Sequence, residues 1–128
     1  MRGKGTDVLL DTNALFMPFQ FGINIESELE RLLGKCRIRV PDAVAGEVTG
    51  LRKRKHQKAA ERLCLKYSRA KCAPGTNVDD MVLELARSTG AVVVTCDRRL
   101  QVRIIASGGR VVSLRQRNHL VLLPSHKS

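Results

Sequence analysis

Val8-Leu9-Leu10-Asp11-Thr12-Asn13 is an apolar run that stops on a carboxylate, followed by turn-forming residues. Successive side chains of a strand point to opposite sides of a sheet, so a strand with no polar position has no solvent face. The stretch therefore predicts a short strand inside a parallel sheet, with Asp11 at its carboxyl end. Val92-Val93-Val94-Thr95-Cys96-Asp97 repeats the design, with a buried strand expected over 91–96 and Asp97 just beyond it. Two further segments end on acids, Val44-Ala45-Gly46-Glu47 and Asn77-Val78-Asp79-Asp80.

Working outward, helical and strand patterns alternate. Ile25, Leu29, Leu32 and Leu33 fall at helical spacing, and Gly34 stands where a helix over 25–33 would stop. Between that helix and Asn13, the segment Phe16-Met17-Pro18-Phe19-Gln20-Phe21 reads as an exposed arm or as a packed loop or helix start. Residues 37–40 form a second strand. Pro41-Asp42 then opens a helix carrying Val44, Glu47, Val48 and Leu51, with Asp42 as its cap. A very basic helix is expected over 52–67 and a short strand over 69–73. The clearest helix spans 76–88, with Gly90 ending it, and another spans 98–106 before the Gly108-Gly109 turn. Residues 110–114 supply the last core strand, and 120–123 suit an edge strand. This βα alternation predicts an α/β fold with a parallel sheet between helices, in one domain over 1–128 with its core at about 7–114 and a frayed tail over 124–128.

In such sheets the functional crevice lies beyond the carboxyl ends of the strands. Asp11 and Asp97 reach it directly, Glu47 from the first turns of the helix after the second strand, and Asp80 from the first turn of the helix before the fourth. Thr76-x-x-Asp79 matches a capping box, which assigns Asp79 to the cap and leaves Asp80 for the site. Glu84, one turn beyond Asp80, is either a further ligand or an exposed surface residue. Clustered carboxylates without His or Cys repel one another unless a hard cation joins them, which points to Mg²⁺ or Mn²⁺ and to metal-assisted phosphodiester hydrolysis.

Charge supplies the substrate class. The chain carries 23 Lys and Arg against 12 Asp and Glu, a net charge of +11, which attracts polyanions. Arg52, Lys53, Arg54, Lys55, Lys58 and Arg62 follow Glu47 with little acid among them, and Arg98, Arg99 and Arg103 flank Asp97, so these are the candidate nucleic-acid contacts. With 3% aromatic residues, base stacking has few candidates and sequence preference should be modest. The apolar runs are too short to span a bilayer. The N-terminus is unlike a signal peptide, since Asp7 and Asp11 interrupt it. Cys36, Cys64, Cys72 and Cys96 lack zinc spacing and read as reduced, semi-buried residues of a cytoplasmic protein. GxSxG, HExxH and P-loop motifs are absent, and His56, His119 and His126 read as surface groups.

Taken together, Val8-Leu-Leu-Asp-Thr-Asn-Ala-Leu15, Val40-Pro41 with Glu47-Val48, Asp80-x5-Ala86 and Val94-Thr-x-Asp-x-x-Leu100 resemble the PIN domain, the PilT N-terminal-like nuclease fold, over about residues 7–114. Thr76-x-x-Asp79-Asp80 and the Thr-x-Asp-Arg pattern at Asp97 look closest to the branch that holds the small-subunit rRNA-processing endonucleases. The resemblance implies a three-layer fold with a five-stranded parallel sheet, and Mg²⁺- or Mn²⁺-dependent cleavage of single-stranded RNA. Carried over by position, the catalytic metal ligands fall on Asp11, Glu47, Asp80 and Asp97, and the supporting polar residues on Asn13 and Thr95. Cys96 departs from the polar residue often found at its place. The implied client is rRNA or pre-rRNA. Alternatives are a toxin ribonuclease with an antitoxin partner, or a non-catalytic RNA-binding assembly factor. A homodimer is implied by resemblance alone.

Overall fold

The computed structural model describes residues 5–125; residues 126–128 of the expected tail lie outside the described residues. The chain runs β1 (Thr6–Leu10), α1 (Thr12–Phe21), α2 (Ile25–Leu33), β2 (Cys36–Pro41), α3 (Asp42–Gly50), α4 (Gln57–Lys66), β3 (Ser68–Ala70), α5 (Val78–Thr89), β4 (Val92–Val94), α6 (Arg98–Ala106), β5 (Val111–Arg115) and β6 (His119–Leu123). The strands form one sheet in the order β3-β2-β1-β4-β5-β6. β1 pairs in parallel with β2 and β4, β2 with β3, and β4 with β5.

Five parallel strands are thus present as expected, and a sixth extends the sheet. β6 runs antiparallel to β5 because only residues 116–118 separate them, too few for the crossover that parallel strands need. Side chains of α2 hold it in place. Glu28 Oε1 accepts from the Leu120 N–H at 2.8 Å, and Arg31 Nη2 donates to the Leu120 carbonyl at 2.8 Å.

Consecutive residues Val8, Leu9 and Leu10 are all fully buried, as are Val92, Val93 and Val94 to within 1%. Since neighbours on a strand face opposite ways, both faces of the sheet centre are covered. α1 packs on α3 and α4, α3 on α5, α5 on α6, and α2 on β2 and β6. The Phe-rich segment is neither an arm nor a loop: it lies within α1, where Phe16 and Met17 are fully buried and Phe19 and Gln20 are open to solvent. Thr12, read as a turn residue, is the first residue of that helix.

Three local expectations need correction. Asp42 does not cap α3; Pro41 holds that position, and Asp42 Oδ1 instead accepts from the Cys72 N–H at 3.1 Å, tying down the segment after β3. The basic helix over 52–67 is interrupted: α3 ends at Gly50, residues 52–56 are turns, and α4 starts at Gln57 after His56 in the left-handed region. Thr76 does not cap α5, because Asn77 takes that role, its side chain accepting from the Asp80 N–H at 2.9 Å. Among the described residues no helix is long and apolar enough to cross a membrane.

Candidate active site

Strand order reverses between β1 and β4. From β1 the chain moves through β2 to β3, and then returns to place β4 on the other side of β1. The crevice at such a switch point opens beyond the strand carboxyl ends. Asp11 stands there, its backbone N–H donating to the Val94 carbonyl at 3.0 Å, so the acid is locked to the end of β4 as well as β1.

A small polar network fixes the Asp11 carboxylate, which is 4% exposed. Thr95 Oγ1 donates to Asp11 Oδ2 at 2.7 Å, and Asn13 Nδ2 reaches the same oxygen at 3.4 Å. Thr95 Oγ1 in turn accepts from the Asp97 N–H at 3.0 Å and from Asn13 Nδ2 at 3.3 Å, a full use of one hydroxyl donor and two lone pairs. Asn13 Oδ1 accepts from the Cys96 N–H at 2.7 Å, so position 96 contributes its backbone to the network. Behind it, buried Gln101 donates to the Thr95 carbonyl at 2.6 Å and to Ser113 Oγ at 2.9 Å. Asn13 and Thr95 therefore sit where the sequence put them. Gln101 and Thr12 were missed: Thr12 Oγ1 donates to Glu47 Oε1 and orients the α3 acid toward the β1 end.

Asp97 has a double role. Its Oδ1 caps α6, accepting from the Arg99 and Leu100 N–H groups at 2.9 and 3.3 Å, while Oδ2 takes no part in that cap. Asp79 does not serve as the α5 cap, and Asp80 is set to one side of the cleft by an ion pair. With Asn77 as cap, Asp80 is bound to Arg103 Nη2 at 2.8 Å on the exposed side of α5 and α6. Asp79 faces a cleft of about 490 Å³, lined also by Glu47, Asn77, Val78, Arg99 and Arg103.

Electrostatics confirm the grouping. Burial pushes the Asp11 carboxyl above its ordinary range, and the charges of Asp79 and Glu47 push it further, against the Thr95 hydrogen bond. Partial burial, then Asp97, Glu47 and last Asp80 also raise Asp79, with Arg103 pulling the other way. Asp11, Glu47, Asp79 and Asp97 thus share one neighbourhood. Among the described residues, no three His, Cys, Asp or Glu side chains are close enough to form a ready cation cage. The donor set nevertheless fits a hard cation. It is all oxygen, its members repel one another, and the bonded oxygens of Asp11, Glu47 and Asp97 are Oδ2, Oε1 and Oδ1, leaving the second oxygen of each outside those bonds.

The predicted cations divide into separate groups. Arg99 and Arg103 line the acidic cleft, whereas Arg98 is exposed at the start of α6. Arg52, Lys53 and Lys55 are exposed in the 52–56 turns, but the Arg54 guanidinium stacks on the buried Phe16 ring at 3.7 Å from its centroid. Lys58 and Arg62 border a different groove, on α4. Glu84 is exposed and pairs with Arg87 at 2.7 Å, the surface alternative for that residue.

A doubly wound sheet with an oxygen-only acidic cluster at its switch point defines a class of α/β site suited to hard cations. Residues 8–117 match the PIN-like domain family, and the chain belongs to it. No curated protein matches the chain. Among solved structures, that of the PIN domain endonuclease Utp24 is similar over 96% of this chain and 95% of that one, with a TM-score of 0.82 at 23% identity. A domain of a functionally unknown protein from Methanocaldococcus jannaschii DSM 2661 is similar over 86% of this chain and 91% of that one, with a TM-score of 0.62 at 16% identity. At these identities the two likenesses speak for the fold.

Proposed function

We propose that this protein is a divalent-metal-dependent endoribonuclease that cuts single-stranded RNA, with rRNA or its precursor as client. The observation that carries the reading is the buried Asp11 carboxylate, held by Thr95 and Asn13 within electrostatic reach of Glu47 and Asp79. Membership of the PIN-like family and the likeness to an endonuclease of that fold support it.

Asp11, Glu47, Asp79 and Asp97 would hold Mg²⁺ or Mn²⁺ through their uncommitted oxygens. When bound, the ion supplies positive charge at the phosphate and so offsets what builds up during hydrolysis. The chain's own groups do the rest. Thr95 and Asn13 keep Asp11 in one orientation, Thr12 does the same for Glu47, and Arg99 and Arg103 face the cleft with charge to offer a phosphodiester. Among neutral substitutions, Asp79→Asn should abolish Mn²⁺-stimulated cleavage of single-stranded RNA. Asp80→Asn, which frees Arg103 and removes one of the weaker charges acting on Asp79, should cost only about tenfold. Equal loss in both variants would restore Asp80 to the cage, as the sequence alone suggests. RNA binding with no cleavage in any divalent metal would favour a non-catalytic assembly factor.

A further inference from the structure

Lys58 and Arg62 of α4 and Arg69 of β3 border a second groove, of about 440 Å³, whose far wall is Ala45, Gly46 and Thr49 of α3; Glu61 is the one acid on its lining, against three cations. Among the described residues none of these cations joins an ion pair. Arg69 is nonetheless held in place, its Nη1 donating to the carbonyls of Cys64 and Tyr67 at 3.0 and 3.2 Å, so the rest of the guanidinium is presented without a mobile side chain. Leu65, 73% exposed, adds an apolar face beside the charges. One fixed cation and two exposed ones next to an apolar surface match a nucleotide, with phosphate for the cations and a base for the apolar side.

The groove is joined to the acids by the geometry of α3. At about 100° per residue, Val44 and Val48 form the buried stripe, Ala45 and Thr49 flank it on one side, and Glu47 flanks it on the other. The outward crest between the two flanks carries Gly46 and Gly50. A Cβ at either glycine would meet nothing within 4 Å, so packing does not demand them there. A strand leaving the cleft can cross α3 over these two glycines, past Asp42 and Ala43 at the helix start.

We infer that the groove of Lys58, Arg62 and Arg69 seats the phosphate backbone of the RNA strand several nucleotides from the scissile bond. This rests on the endoribonuclease reading and adds a second contact, reached over the glycine crest of α3. It makes affinity depend on RNA length, because a short strand fills only the cleft.

The test is RNA affinity by fluorescence anisotropy in chelator, with single strands of about 4 and about 16 nucleotides, the range of ordinary single-strand sites. Lys58→Gln with Arg62→Gln should lower affinity for the long strand about tenfold and flatten its salt slope by about one to two, with the short strand unaffected. Gly46→Leu, uncharged and helix-favouring, should weaken the long strand alike while leaving thermal stability equal or higher. Equal losses for both lengths, or none for the long strand, would overturn the second contact. Because no divalent metal is present, cleavage-dead protein would still report on it. Conversely, failure here leaves the Asp79 and Asp80 comparison intact.

Discussion

Asp11 is the acid of the cluster most fully removed from solvent, at 4% exposure. Its folded pKa lies above the unfolded value, chiefly through burial and then through Asp79 and Glu47. A carboxyl shifted upward binds its proton more tightly in the folded state, so stability falls as pH rises through that raised pKa. In the metal-free protein the penalty is fully present above the folded pKa and is relieved as pH falls to the unfolded one. Asp11→Asn should therefore melt at or above the wild-type temperature at neutral pH in chelator, with the advantage shrinking as pH is lowered. A variant several degrees less stable at neutral pH would mean that the Thr95 bond outweighs the buried charge. At this scale Asp11 and Asp97 were legible because each ends an apolar run. Asp79 was not, because adjacent Thr76 and Asn77 both suit a cap, and shifting it by one residue swaps which neighbouring acid faces the cleft.

Among the elements, α1 was the hardest to foresee. Its one intermediate-to-exposed stretch is short, Pro18 interrupts it, and Ala14, Leu15, Phe16 and Met17 are all buried, so it has no broad polar face to reveal helical spacing. The break between α3 and α4 was hidden for the opposite reason: Arg52 to Lys55 look like a solvated helix face, and only tertiary contact shows otherwise. That contact is Arg54 on Phe16, which anchors the 52–56 turns to α1. Arg54→Ala should lower stability by about 0.5–1 kcal/mol in urea melts with a smaller effect on RNA affinity per charge. Replacing Arg52, Lys53 and Lys55 by Gln should do the reverse, and equal RNA losses from the two sets would remove the distinction. The observed spans of α2 and α6 match the expected ones, and α5, the clearest in the sequence, spans Val78–Thr89 where 76–88 was expected.

For the whole molecule, alternating strands and helices sufficed to predict a parallel sheet flanked by helices, while the sixth strand was only suggested by the apolar run at 120–123. Its place depends on a short reversal and on Glu28 and Arg31, neither of which has a sequence signature at that distance. The net charge of +11 acts at this scale too. RNA affinity should fall linearly on a log–log plot against salt, with a slope near −0.7 for each phosphate neutralised. A slope shallower than about −2 would mean that fewer than a handful of cations touch RNA, and would weaken a reading built on two separate basic contacts.

Asp11 depends on Thr95 for its hydrogen bond and on Val94 for its backbone anchor, although 84 residues separate the carboxylate from that threonine. During synthesis from the N-terminus, Arg52 to Arg69 emerge before β4 does. A nascent chain thus carries its basic stretch before the acidic site can close. The proposed cutting ability is timed by the order of translation, and a prematurely terminated chain would bind nucleic acid without harming it.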